Sequence, residues 1–160
     1  MKIGILGAGS IAHSMAKTVS RMEGTELYAV ASRSIGKAED FARQYQIPKA
    51  YGSYQEMAED PAVDLIYVAT PHSHHYAHVK LCLEHGRNVL CEKAFMVNSS
   101  QAREVVRLAR EKRLLLAEAI WTRYMPSRAL IREAVDSGII GEGTSLTANL
   151  GYVVKHKERL

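Results

Sequence analysis

Apolar positions along this 160-residue chain follow two rhythms. Short, mainly apolar runs at residues 2–6, 27–31, 64–69, 88–92 and 114–117 predict strands buried on both faces. Between them the apolar residues recur every three or four positions, as in Ile11, Met15 and Val19, which predicts a helix over residues 10–22. Further helices are predicted from Ser34 to about residue 46, over 54–59 behind Ser53, over 73–85 with Gly86 as its stop, from a Ser99 or Ser100 cap to residue 113, and over 126–137 closed by Gly138. Residues 143–154 alternate Ser145, Thr147 and Asn149 with Leu146, Ala148 and Leu150. That period of two predicts a half-buried antiparallel strand.

Strands alternating with helices imply a parallel sheet covered on both faces, an α/β architecture. The pattern changes near Glu118, so residues 1–120 are expected to form one domain and residues 121–160 the beginning of an α+β second domain that the chain does not complete. A lone strand at 143–154 would expose an unpaired edge, and this predicts a homo-oligomer.

The turn after the first strand reads Gly7-Ala8-Gly9-Ser10-Ile11-Ala12. A G-x-G-x-x-A run between a strand and a helix is the form of turn that holds a dinucleotide pyrophosphate. Gly7 permits the tight turn, Gly9 lets the backbone approach the phosphates, and Ala12 lets helix and strand pack closely. The helix start adds free N–H groups and the positive end of a dipole. This makes the predicted fold a Rossmann-type doubly wound sheet. Its ligand belongs at the carboxyl ends of the strands, on the loops at 7–10, 32–36, 70–75 and 92–96.

The second strand ends Ala31-Ser32-Arg33-Ser34, where an NAD site would carry a carboxylate for the ribose. Arg33 can meet a 2′-phosphate and stack on adenine, Ser32 and Ser34 can donate to the phosphate, and Lys37 adds charge one turn later. The pattern favours NADP, with NAD as the alternative; Arg33 could instead be an ordinary surface residue. Thr70-Pro71-His72 is expected along the cofactor, with His75 near the start of the following helix. Lys93, in Cys91-Glu92-Lys93-Ala94, is placed to point into the cleft near the nicotinamide and to move a proton, with Glu92 orienting it. Against that stands the commoner meaning of a Glu-Lys pair on a surface.

Histidines 72, 74, 75 and 78 raise the alternative of a metal-dependent hydrolase. His74 and His78 have the i, i+4 spacing of H-E-x-x-H, but His75 stands where the glutamate belongs and no nearby Cys or Asp completes a set, so no metal site is expected. A net charge of +4 is spread without interleaved aromatics, which argues against nucleic-acid binding. No apolar run nears the ~20 residues that cross a bilayer, and the first residues do not form a secretory signal. Cys82 and Cys91 read as buried free thiols, and a cytoplasmic protein is expected.

Residues 3–12, 31–34, Ala69-Thr70-Pro71 with His75, and Glu92-Lys93 together resemble the Gfo/Idh/MocA oxidoreductase family. Residues 91–95 followed by residues 118–126 (Glu-Ala-Ile-Trp-Thr-Arg-Tyr-Met-Pro) are similar to its dihydrodiol dehydrogenase-like branch. The resemblance implies a nucleotide-binding domain followed by an α/β domain with an open sheet that often mediates dimerisation. It implies hydride transfer between a nicotinamide cofactor and a sugar, cyclitol or diol. It assigns Lys93 to proton transfer at the substrate oxygen and places Trp121 and Arg123 at the cleft between domains. The family motif more often reads Glu-Lys-Pro; here Ala94 removes that backbone restraint. Because family members are longer, the chain is expected to bind cofactor with little turnover of its own. A non-catalytic NADP-binding module or partner subunit is the alternative.

Overall fold

A computed structural model describes residues 1–151. The chain divides into two compact units, Met1–Ile120 and Trp121–Leu160.

The first unit is a six-stranded sheet, built from β1 (Lys2–Leu6), β2 (Glu26–Ala31), β3 (Lys49–Tyr51), β4 (Leu65–Val68), β5 (Asn88–Cys91) and β6 (Leu116–Glu118). All five pairings are parallel and the spatial order is β3-β2-β1-β4-β5-β6. This is the doubly wound Rossmann arrangement, with its switch point between β1 and β4. The helices of this unit are α1 (Ser10–Val19), α2 (Ile35–Tyr45), α3 (Tyr54–Glu59), α4 (His75–Glu84) and α5 (Ser99–Glu111).

Alternation along the strands divides the core in two. Ile3, Ile5, Val30 and Tyr67 face α1 and α2, where they meet Ala12, Ala16, Ala38 and Phe41. Leu6, Ala31, Ile66, Val68 and Val89 face the other way, against Met57, Val79, Leu83 and Val105. Small residues on the inner faces of α1 and α2 let those helices lie close to the sheet.

The strand β3 has no counterpart among the predicted elements. Three residues directly after Pro48, paired only to β2, are too short to display a period. The first helix stops at Val19 rather than at 22, and a 3-10 turn over His72–His74 precedes α4. Ser53 caps α3 as expected, accepting from the Glu56 amide at 3.2 Å. Asn98, not Ser99 or Ser100, caps α5, accepting from the Gln101 amide at 3.0 Å. Ser34 occupies the cap position of α2 without a side-chain cap bond.

The second unit contains a 3-10 turn, Trp121–Tyr124, and α6 (Pro126–Asp136), with Pro126 at the first helical turn. The strand predicted over 143–154 is not formed over 143–151, and residues 152–154 lie outside the described residues. Leu146 is 90% exposed and Leu150 72% exposed. Alternation fits a strand only where a partner supplies hydrogen bonds and covers the apolar side. No such partner lies beside 143–151 among the described residues.

One glycine decides the geometry of the first turn. Gly7 has φ of +107°, and a Cβ there would lie 3.0 Å from the Ala69 carbonyl oxygen and 3.1 Å from the Thr70 methyl. Neither neighbour is a flexible chain end. Gly7→Ala is expected to lower the unfolding free energy by about 1–3 kcal/mol, read from urea denaturation.

Candidate functional site

The loops at the carboxyl ends of the strands start from a common level. The first residue past every strand except the edge strand β3 donates its amide to the last carbonyl of its neighbour. Ser32 donates to Tyr51, Gly7 to Ala31, Ala69 to Leu6, Glu92 to Val68 and Ala119 to Cys91, at 2.7–3.1 Å. The glycine turn, the Arg33 loop, the Thr70 loop and the Lys93 loop therefore rise together from the sheet.

At the turn itself, Gly9 is the N-cap residue of α1, with no side-chain cap bond, and the first helical turn carries no acidic residue. A Cβ built on Gly9 meets nothing within 4 Å. Ser10 and Ile11, at the first two helical positions, are exposed with their amides outside the helix ladder. Ala8 is half-buried, and Ala12 is fully buried against the sheet as the packing residue. An uncapped helix start facing open space, reached through a residue without a side chain, fits a dinucleotide pyrophosphate.

Arg33 lines a small cleft of about 50 Å³ together with Tyr54, Thr70, Pro71, His74 and His78. Ser34 is exposed beside it, while Ser32 is buried and its hydroxyl oxygen accepts from the Ser34 amide at 3.4 Å. Lys37, expected to add charge beside Arg33, instead lines a separate cleft with Ala8, His13 and Phe41. It follows Arg33 by four residues, but those residues span the start of α2, and the helix turns Lys37 toward the glycine turn.

Thr70 is buried, and its hydroxyl lies 2.9 Å from His78 Nδ1. Burial, with help from His74, His75 and Arg33, pulls the His78 pKa down to about 4. The ring therefore stays neutral at pH 7 and can accept the Thr70 proton. Pro71 and His72 are exposed on the same loop, and Ala69 is buried at its base.

His75, expected near the start of the helix after Thr70-Pro71-His72 and counted with the cofactor loop, is the first residue of α4. Its ring is fully buried, with Nδ1 2.9 Å from the Ala94 carbonyl and Nε2 2.8 Å from the Thr70 carbonyl.

Glu92 is half-buried and held from two sides. The Tyr67 hydroxyl donates to Oε1, and the Lys93 amide donates to Oε2 at 3.1 Å. Neither bond involves the Lys93 amine, so Glu92 holds Lys93 through its main chain. Lys93 itself is exposed. Burial and the Glu92 carboxylate push the Tyr67 phenol well above its ordinary value, so it remains a donor at every physiological pH. Tyr67 was not among the predicted site residues, because within an apolar strand it reads as core. Glu118 was also missed; its Oε1 accepts from the Phe95 amide at 3.0 Å and steadies the far side of the Lys93 loop.

Among the described residues, no group of three or more His, Cys, Asp or Glu is arranged to hold a metal ion. The histidine cluster is instead made of ring contacts, His74 stacked on His78 at 5.7 Å and His72 edge-on to His75 at 5.4 Å. Trp121 and Arg123 lie on the 3-10 turn of the second unit, both exposed.

The model of the oxidoreductase family with an NAD-binding Rossmann fold, Gfo/Idh/MocA, matches residues 1–119. The chain belongs to this family. It is 42% identical to trans-1,2-dihydrobenzene-1,2-diol dehydrogenase of Mus musculus over 99% of its own length and 48% of that protein. It is 46% identical to D-xylose 1-dehydrogenase (NADP(+)) of Hypocrea jecorina, over 88% of the chain and 39% of that enzyme. Among solved structures, KijD10, a 3-ketoreductase from Actinomadura kijaniata crystallised with TDP-benzene and NADP, superposes with a TM-score of 0.82 at 29% identity. That match covers 89% of this chain and 45% of KijD10. The chain spans about half the length of the curated relatives it matches. No helix among the described residues is long and apolar enough to cross a membrane.

The depressed His78 value has a consequence for stability. An unfolded histidine takes up its proton near pH 6.5 and the folded one only near pH 4. Stability is therefore full above about 6.5 and falls as the pH drops toward 4, because the unfolded chain binds the proton first. Thermal unfolding followed from pH 7 to pH 4 is expected to show a shallower decline in His78→Asn than in the parent.

Proposed function

We propose that this chain is the NADP-binding portion of a dehydrogenase acting on a diol or sugar hydroxyl. The observation that carries the cofactor half is the open glycine turn: an uncapped α1 start, and a Gly9 with empty space where a side chain would stand. Preference for the phosphorylated dinucleotide is supported by Arg33, exposed on the loop after β2 beside Ser34 and with no carboxylate there. A guanidinium offers a planar fork of donors to a phosphate. Lys37, beside Ala8, is suited to the pyrophosphate rather than to the 2′-phosphate. The two named dehydrogenase relatives support a substrate bearing a carbinol carbon.

When bound, the nicotinamide supplies the hydride donor or acceptor. The residues of this chain do the rest. The amides at 10 and 11 hold negative charge, Thr70-Pro71-His72 flanks the dinucleotide, and Lys93 gives or takes the proton of the substrate oxygen. An exposed amine on a main chain fixed by Glu92 combines reach with a defined origin. Cys82 and Cys91 take no part, since burial pushes both thiols up to about 12. As buried free thiols they suit a reducing cytoplasm.

Fluorescence titration with NADPH and NADH tests this reading. NADPH is expected to bind the tighter, and Arg33→Ala to weaken NADPH by about tenfold or more while barely moving NADH. Failure of both nucleotides to bind folded protein would refute the proposal. Saturable NADPH binding by a full-length relative-sized polypeptide that turns over no diol or sugar would favour a non-catalytic binding module. Gly9→Ser separates binding from folding. Serine is a good N-cap, so stability is expected to hold, whereas its side chain enters the phosphate cradle and NADPH affinity falls.

A further inference from the structure

The loops carrying Thr70 and Lys93 follow neighbouring strands, β4 and β5, and one side chain touches both. His75, the first residue of α4, is fully buried and reaches the Thr70 carbonyl with Nε2 and the Ala94 carbonyl with Nδ1. We propose that His75 is a positioning residue: its two ring nitrogens tie the cofactor-side loop to the loop that presents Lys93, and so set the distance between dinucleotide and lysine.

Three observations carry this. First, both contacts are of full hydrogen-bond length, 2.8 and 2.9 Å, and both partners are main-chain oxygens, which cannot rotate away. A ring with one N–H bonds one of these oxygens and a ring with a proton on each nitrogen bonds both, so the tie can be read from the ring nitrogens. Second, the ring bonds Ala94, the residue after Lys93, at a place where the usual family restraint of a proline is missing. Third, the other side-chain bonds to the Lys93 loop among the described residues come from Cys91, Glu92 and Glu118. Glu92 takes the Lys93 amide and Glu118 takes the Phe95 amide, but neither reaches the Thr70 loop. His75 supplies the link between loops that the sheet alone does not.

The proposal rests on the reading of Lys93 and the Thr70 loop as site elements, and its test is built to fail separately from that reading. Asparagine can reproduce the donor at Nδ1 and glutamine the donor at Nε2. His75→Gln should keep the Thr70 contact and lose the Ala94 contact. Amide hydrogen exchange at Lys93 and Phe95 is then expected to accelerate by about tenfold, with NADPH affinity near that of the parent. His75→Asn should do the reverse, accelerating exchange at His74, whose amide bonds Pro71, and weakening NADPH while Lys93 and Phe95 stay protected. Exchange at Ile5 and Val68 in the sheet reports whether each variant has folded.

A merely structural histidine would loosen both loops alike in both variants, and that result, or parental exchange in both, overturns the proposal. Should neither variant fold, the nitrogen resonances of His75 in the parent decide. Two protonated ring nitrogens support the tie, and one bare nitrogen sinks it. Absence of NADPH binding in the parent would strike the cofactor reading and leave the exchange result to judge the tie.

Discussion

The structure depends on the row of main-chain hydrogen bonds that closes the carboxyl edge of the sheet. Five times, the residue that leaves a strand donates to the last carbonyl of the strand beside it. Each such bond contributes on the order of 1 kcal/mol net. Their geometric effect is larger, because they prevent the strand ends from fraying and bring every loop to one level. The tight approach of Gly7 to the Ala69 carbonyl belongs to the same row, at the switch point where the chain connections diverge. A site assembled from loops needs such a common floor, since loops otherwise wander.

Above that floor lies a second tier, in which side chains hold main chain. Tyr67 and the Lys93 amide fix Glu92, His78 meets the Thr70 hydroxyl, and Glu118 takes the Phe95 amide. Alternation along β4 is what makes this possible. Ile66 and Val68 face α4 and α5, so Tyr67 must face the other side, where its hydroxyl ends beside the loop after β5. One residue of register shift would bury that hydroxyl against α4 and leave Glu92 unheld.

Legibility in the sequence followed the strength of the local signal. The strands β1, β2, β4, β5 and β6 were legible because a short, mainly apolar run between turn residues suits a strand covered on both faces and little else. The glycine turn was legible because φ above zero and close approach demand glycine. The strand β3 was not, since three residues after a proline carry no period. The 143–154 segment misled because alternation records a potential face, not the presence of a partner. Site residues that meet solvent, such as Arg33 and Lys93, stood out by type and position. Those that support them did not. Tyr67 looks like core, Glu118 like a strand end, and the Nδ1 and Nε2 contacts of His75 join residues 19 and 5 positions away, beyond any local pattern.

This division follows from the cost of burying polar atoms. A polar group that faces ligand can be exposed and needs no partner, so its residue type alone announces it. A polar group that supports it must leave water, and it is tolerated only with every hydrogen bond met. The structure meets that condition closely. Among the described residues, Gln101 Oε1 is the buried side-chain oxygen or nitrogen left without a partner, and it lies on α5, outside the loops of the site. The satisfied polar layer formed by Tyr67, Glu92, Thr70, His75 and His78 lies beneath the exposed groups at Gly9, Arg33 and Lys93. Rigidity is thereby concentrated under the place where a ligand would press, and the exposed groups stay open to approach.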